Sequence, residues 1–318
     1  MARPSGRAIE VHVMTTYVIR RLIHIFIVIL LVLTVVFFLT RLTGDPVLFF
    51  VPMDTAPADL EEIRERRGFN DPLYVQYGRF MRDALQGDFG DSLRQNEPAT
   101  NLVFRVIPAT LELGAAALLL SIVLGVPLGI FSAIHRGSIA DKTSTLVAVL
   151  GLSVPAFWMG LLLILLFSVY LGWLPTSGRG SMAHLIMPAV TLAAFSVARY
   201  ARLARSTMLD VLGQDYVRTG RAKGLSENRV IWVHALKNAS IPLITITGLQ
   251  AGHLLGGAVI VEQVFSRPGI GRLLVQSLLN RDFPVVMAAI VFVAIVYTFM
   301  SLLTDLAYAW ANPEVRLR

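Results

Sequence analysis

The sequence contains no cysteine, which excludes a disulfide framework, a thiolate metal site and a cysteine nucleophile. Charge is scarce as well. Asp, Glu, Lys and Arg make up 15% of the 318 residues and hydrophobic residues 55%, where a soluble domain has about 25% and about 45–50%. That balance excludes a water-soluble globule, and it is far too apolar for a disordered chain. The six histidines are scattered without ligand spacing, and neither H-E-x-x-H nor G-x-S-x-G occurs. The segment from Gly137 to Thr143 lacks the glycine that a phosphate loop places just before its lysine, here Lys142. ATP hydrolysis therefore has no legible home in this chain.

What is abundant is uninterrupted apolar sequence. About 20 residues at ~1.5 Å rise cross the ~30 Å hydrocarbon layer, and six stretches qualify as spans: 22–40, 104–134, 143–171, 182–198, 239–261 and 283–304. The third carries Pro155, so a kink or tilt is expected there. Arg20 and Arg21 precede the first run, which exceeds the ~7–15 residues of a signal-peptide core and has no small-x-small cleavage site. It reads as a retained anchor helix. The cations, 28 against 21 acids for a net charge of +7, flank these runs and form no aromatic-interleaved face, which speaks against nucleic-acid binding. Their distribution also orients the chain. The N-terminus, the turn 135–142, the segment 199–238 and the C-terminal tail hold 16 cations against seven acids, whereas the remaining loops hold eleven cations against thirteen acids. By the positive-inside rule both termini are expected in the cytoplasm.

Two connections are too long to be mere links. Residues 41–103 hold a charged helical pattern from Ala58 to Arg67 and the segment DPLYVQYGRFMRDALQGDFGDSL, which together read as a small extracytoplasmic subdomain. Residues 199–238 read as a cytoplasmic loop with two short helices broken at Gly224. Gly224 is expected to take the left-handed conformation that ends the first helix, Ser226 to cap the second, and Leu225 and Val230 to form a hydrophobic staple. Glu227 suits the dipole of that second helix. The first helix starts at Asp215 and Tyr216 and offers Val217, Gly220 and Ala222 among the cations Arg218, Arg221 and Lys223. Such a helix suits insertion into a groove of another protein; the alternative is that its cations only touch anionic membrane lipid.

Ionisable groups in or beside the spans are few. Glu112, near the outer end of the second span, complements the helix dipole there. Glu262, at the outer end of the fifth, is read either as a gate or loop brace neutralised by Arg267 or Arg272, or as simply exposed at the interface. Asp305 is read as a packing or interface residue. His253 is the only titratable side chain deep in the fifth span, either lining a cavity or hydrogen-bonded in the packing. Gly248, Gly252 and Gly256 recur at intervals of four, giving a face for tight helix contact or for a seam that opens. Pro268, Gly269 and Gly271 are expected to form a turn before a short helix over 273–279.

Arg218, Thr219 and Gly220, followed after three residues by Gly224, resemble the "EAA" loop of ABC-importer permeases. The eponymous Glu is absent and Pro242 lies further on than in the general pattern, which matches the peptide-type branch, similar to RAKGLSE…HALKNA…P here. RRL, LTGDP, DPLYVQYGRF…GDFG, PATLELG, LSVPAFWMGLLLILLFS, LGWLP and EQVFSRPGIGRLL…NRDFP likewise resemble permeases of the dipeptide/oligopeptide/nickel group, over residues 17–313. The resemblance implies an all-α membrane protein with six transmembrane helices. Its parts are an N-terminal tail and extra helix (1–40), the subdomain 41–103, and a five-helix ABC-importer permease core (104–313).

It further implies a bacterial inner-membrane importer, above all of dipeptides or oligopeptides, in which this chain forms the path and binds no cofactor. Implied partners are a second similar permease, two ATPase subunits carrying ATP and Mg, and an extracytoplasmic solute-binding protein facing residues 265–284. Coupling would run through 213–236, with Asp215, Tyr216, Arg218, Gly220, Arg221, Ala222, Lys223, Gly224, Leu225 and Ser226. The path or outer gate would involve Gly252, His253, Gly256, Glu262, Pro268, Gly269 and Gly271. Two other classes fit less well. A secondary transporter needs buried acids, and here they hug the span ends; an intramembrane hydrolase needs a partnered base, and His253 has no evident partner.

Overall fold

A computed structural model describes residues 6–42, 47, 56–66 and 68–311. Thr43 to Pro46 of the LTGDP motif, Arg67 and the C-terminal tail fall outside the described residues, as does the side chain of Asp305. The helices are α1 (Gly6–Leu42), α2 (Pro57–Arg66), α3 (Leu73–Leu85), α4 (Ala99–Ile134), α5 (Ile139–Ser153) and α6 (Ala156–Tyr170), followed by α7 (Ala183–Leu212), α8 (Asp215–Ala222), α9 (Glu227–Val264), α10 (Ile270–Leu279) and α11 (Phe283–Ala311). Among the described residues the only extended pairing is an isolated bridge between Asp91 and Pro98. Helices α1, α4, α7, α9 and α11 are long and apolar enough to cross a membrane, and α5 with α6 makes a sixth span if the pair is counted as one. Exposed apolar side chains such as Phe26, Leu31 and Phe38 on α1 suit a lipid environment, where the helix already satisfies its own backbone.

Three sequence expectations need correction. The third span is not a kinked helix: α5 and α6 meet at 105°. Val154 precedes Pro155 and is extended (φ −83°, ψ 122°), as the proline ring demands of its neighbour, so the helix ends and restarts. The expected loop 199–238 is mostly helix. Helix α7 runs on to Leu212 because Ala198, Ala201, Ala204 and Met208, spaced three to four apart, continue the buried stripe. The second short helix after Gly224 is not separate either. It is the beginning of α9, which winds as π-helix over Val230–Ala235 and then continues into the fifth span.

The chain divides into two compact units. One comprises residues 15–110 and 268–299. Its core joins Leu33 and Val36 of α1 to Met81 and Ala84 of α3, Leu102 and Val103 of α4, Ile270 of α10 and Val285 of α11. Phe37 packs edge-on against Tyr77, with ring centroids 5.2 Å apart. Buried Asp282 accepts hydrogen bonds from Ser92 Oγ and the Leu93 amide, closing the loop that follows α3.

The other unit comprises residues 1–14, 111–267 and 300–318. Within it α4 and α7 cross closely. A Cβ built on Gly125 would stand 2.7 Å from the Val197 carbonyl oxygen, and one on Gly129 would stand 2.3 Å from that of Ala201. Below this crossing Arg205 donates to both Asp141 carboxylate oxygens, at 2.7 and 2.9 Å. Ser132 and the Gly137 amide also bond Asp141, whose own amide is capped by Ser138. The turn that superficially resembles a phosphate loop is therefore a helix cap and an ion-pair anchor.

Candidate functional site

The elbow between α7 and α9 is built from a short helix and its stop. The Gly224 amide donates to the Arg221 carbonyl at 2.9 Å and the Leu225 amide to the Gly220 carbonyl at 3.3 Å, the paired bonds of a Schellman ending. Gly224 has φ +78°, a conformation that costs little only without a Cβ. Leu225 and Val230 side chains both face Gly220, in the register of the expected staple. Ser226 occupies the cap position of α9 by its backbone, yet its side chain makes no capping bond.

Two side-chain contacts link the short helix to the start of α9. Asn238 donates to the Tyr216 hydroxyl at 2.8 Å, and Arg221 pairs with Glu227 at 2.7 and 3.2 Å. Val217 is buried within this same unit, so it is the helix's own anchor and is not available to a partner, contrary to the sequence reading. Asp215, Tyr216, Arg218, Arg221, Ala222, Lys223, Gly224 and Ser226 are exposed, with Gly220 and Leu225 half-buried. The Arg218–Asp215 pair, 3.5 Å apart on an exposed turn, adds little stability. What the elbow presents is a preformed knuckle with a cationic outer surface.

In the same unit, the α5–α6 break, α7 and α9 surround a cavity of about 360 Å³ lined by Ser153, Pro155, Thr191, Phe195, Ser196 and His253 among others. The structure places His253 on this wall with its side chain exposed, its ring centroid 6.0 Å from that of Phe195. The glycine face of α9 is not uniform. Gly248 lies so close to Thr304 of α11 that a Cβ would meet its side chain at 1.9 Å, while Gly256 has open space around it and Gly252 is half-buried.

Glu262 is completely buried, which overturns the reading of it as an exposed interfacial acid. Arg267, also buried, donates to Glu112 at 2.8 Å, and Arg179 donates to the same carboxylate at 3.0 Å. Burial pushes the Arg267 guanidinium below its usual value, and the charges of Glu112 and Glu262 pull it back. Two cations and two acids thus balance at this end of α9, and Glu112 acts as an ion-pair partner beyond its dipole role. Pro268, Gly269 and Gly271 belong to the other unit. There Gly269 is extended at the cap of α10, Gly271 is buried and Pro268 is exposed. No group of three or more His, Asp or Glu side chains that could hold a metal ion occurs among the described residues.

Sequence reasoning missed three features. Gly125 and Gly129 form the small-x-x-x-small pattern that α4 uses against α7. Asp141 stands three residues after Ser138, a capping-box spacing, but nothing local signals Arg205 as its partner. Arg199 bonds Gln250, which bonds Ser196, a link between residues some fifty apart in the chain.

Residues 125–317 match the family model "Binding-protein-dependent transport system inner membrane component", and residues 14–114 match its N-terminal companion. The chain is 41% identical over 306 residues to the glutathione transport system permease protein GsiC of Escherichia coli strain K12, covering 96% of this chain and 100% of that one. It is 41% identical over 315 residues to the oligopeptide transport system permease protein AppB of Bacillus subtilis, covering 95% and 99%. In fold it is similar to a chain of the inward-facing MetNI methionine ABC transporter, with a TM-score of 0.57 at 19% identity, over 66% of this chain and 96% of that one.

Proposed function

Since the chain belongs to the inner membrane components of binding-protein-dependent transport systems, we propose that it is one permease of an ATP-driven importer of short peptides, glutathione included. It pairs with a second, similar permease around the transport path. Two ATPase subunits bind and hydrolyse ATP with Mg, and an extracytoplasmic binding protein delivers cargo. The chain itself supplies no bond-breaking chemistry. It lies in the bacterial inner membrane with both termini and the elbow in the cytoplasm, residues 41–103 outside, and residues 265–284 toward the binding protein.

One observation carries this reading: the elbow is exposed and cationic, yet it is tied by Tyr216–Asn238 and Arg221–Glu227 to the start of a helix that continues through the apolar span. A force applied to Arg218, Ala222 or Lys223 is therefore delivered to α9 and to the wall that bears His253. ATP binding closes the ATPase pair, the docked elbow moves with it, and the cavity changes the side it faces. Such a switch requires the ATPase pair to bind the two membrane conformations unequally. Glu112, Arg179, Glu262 and Arg267 brace the outer end of α9 against that movement.

Uptake of radiolabelled oligopeptide by cells expressing the importer tests the reading. ATP depletion is expected to stop uptake, and collapse of the proton gradient at constant ATP to leave it unchanged. Uptake that follows the proton gradient and ignores ATP contradicts the importer reading and favours a secondary transporter.

A further inference from the structure

Arg199 stands beside the membrane cavity, adjoining two of its wall residues without being part of the lining itself. It lies one turn beyond Phe195 on α7, with its guanidinium over the Phe195 ring, 5.3 Å from the centroid. Its Nη1 donates to Gln250 Oε1 at 2.9 Å. Gln250 is fully buried and its Nε2 donates to Ser196 Oγ at 2.8 Å, so both ends of the amide are committed and the orientation of Arg199 is fixed. Gln250 is the midpoint of the apolar stretch 239–261, about 16 Å along the helix from either end. Arg199 is thereby held at the level of the hydrocarbon core.

An arginine at that depth is costly unless it meets an acid or a water-filled path. Among the described residues no carboxylate pairs with Arg199, and the one hydrogen bond of its guanidinium goes to Gln250. Asp141, the acid near the same face of α7, is taken by Arg205. On α9, His253 is the only titratable group between Lys237 and Glu262, and no acid lines the cavity. Phe195 and Ser196, the two α7 residues tied to Arg199, are both cavity wall, and His253 lies against the same Phe195 ring. The cavity's volume falls in the range of small-molecule sites.

We propose that Arg199 is a cargo-binding residue of the path, receiving the carboxylate of a peptide as it passes the cavity, with His253, which packs near the same Phe195 ring, flanking the cargo. The planar guanidinium keeps Nε and Nη2 free for the two-bond geometry a carboxylate accepts. A single cation of this kind attracts the cargo yet lets it leave, as conduction requires. The inference rests on the peptide-importer reading given above.

The test uses the complete importer, with partner permease, ATPase subunits and binding protein, in proteoliposomes. The probes are radiolabelled trialanine and glutathione, both with free carboxylates. Uptake is expected to fall in the order of charge: within about threefold of the unaltered protein for Arg199→Lys, about tenfold down for Arg199→Gln, and further for Arg199→Glu. ATP hydrolysis stimulated by the loaded binding protein is expected to persist in all three. Unchanged uptake with Arg199→Gln overturns the proposal, and so does an equal loss in all three variants, which makes Arg199 a packing residue. If the unaltered importer carries neither probe, the peptide reading itself fails and this site falls with it.

Discussion

Replacing Gly224 by valine is expected to reduce uptake by more than about tenfold while the chain still inserts in the membrane at its normal level. The residue holds φ +78°, where a β-branched side chain costs about 1–3 kcal/mol. A Cβ there meets nothing within 4 Å, so the damage is to the backbone turn and not to packing. The two Schellman bonds at the end of α8 require that turn. Losing it lets α8 swing away from Leu225 and Val230, and the exposed Arg218, Ala222 and Lys223 lose their fixed position. Because asparagine tolerates the left-handed region, Gly224→Asn should retain most activity. Uptake and cargo-stimulated ATP hydrolysis in proteoliposomes, with immunoblots of the membrane fraction, check both variants. Normal transport by the valine variant contradicts the coupling role of the elbow.

Gly129→Val is expected to have the largest effect on folding itself. An added Cβ would stand 2.3 Å from the Ala201 carbonyl oxygen, 2.6 Å from Ala204 Cβ and 2.9 Å from the Arg205 amide nitrogen. Two of these atoms are backbone and cannot rotate away, so α4 and α7 must separate. Overpacking costs about 1–3 kcal/mol where side chains can yield, and more is expected against rigid helix backbones. Separation also draws Arg205 away from Asp141, which leaves a buried carboxylate without its cation. The expected result is aggregation of Gly129→Val on detergent size-exclusion chromatography. Gly256→Ala is the control, since its Cβ meets open space, and it should elute and melt like the unaltered protein.

These two glycines also mark what could be read from the sequence. The stop at Gly224 was legible because helix endings are local: a small-residue helix, a glycine, then Leu225 and Val230 in staple register need no distant partner. The apolar spans are legible for the same reason, whereas the ABC-importer permease fold is implied by the family resemblance of the motifs and by no local pattern. The α4–α7 contact is not legible, although Gly125 and Gly129 carry its pattern, because a small-residue pair does not say which helix it faces. Gly248 and Gly256 make the same point, one jammed against Thr304 and the other open.

Long-range polar contacts were the least legible. Asp141 with Arg205, Glu112 with Arg267 and Gln250 with Arg199 join residues 51 to 155 apart, and each looks like a loop or interface charge when read alone. The charge count that labels 199–238 as a polar loop is misled by arginines that continue α7 as a helix, since Arg205 faces inward to an acid. Likewise Val217 belongs to the apolar pattern of α8, but only the fold decides that this face turns toward its own chain.

The central claim, that the elbow is gripped by an ATPase subunit in the cytoplasm, is most directly tested by site-specific cross-linking. The chain has no cysteine of its own, so Ala222→Cys, at an exposed position of α8, introduces its only thiol. With single cysteines placed in the ATPase subunit, a short bifunctional maleimide is expected to yield a permease–ATPase product whose amount changes on addition of ATP. In intact cells the thiol should resist a membrane-impermeant maleimide. A thiol that is labelled from outside intact cells, or that cross-links to no ATPase subunit in the functional importer, contradicts the account.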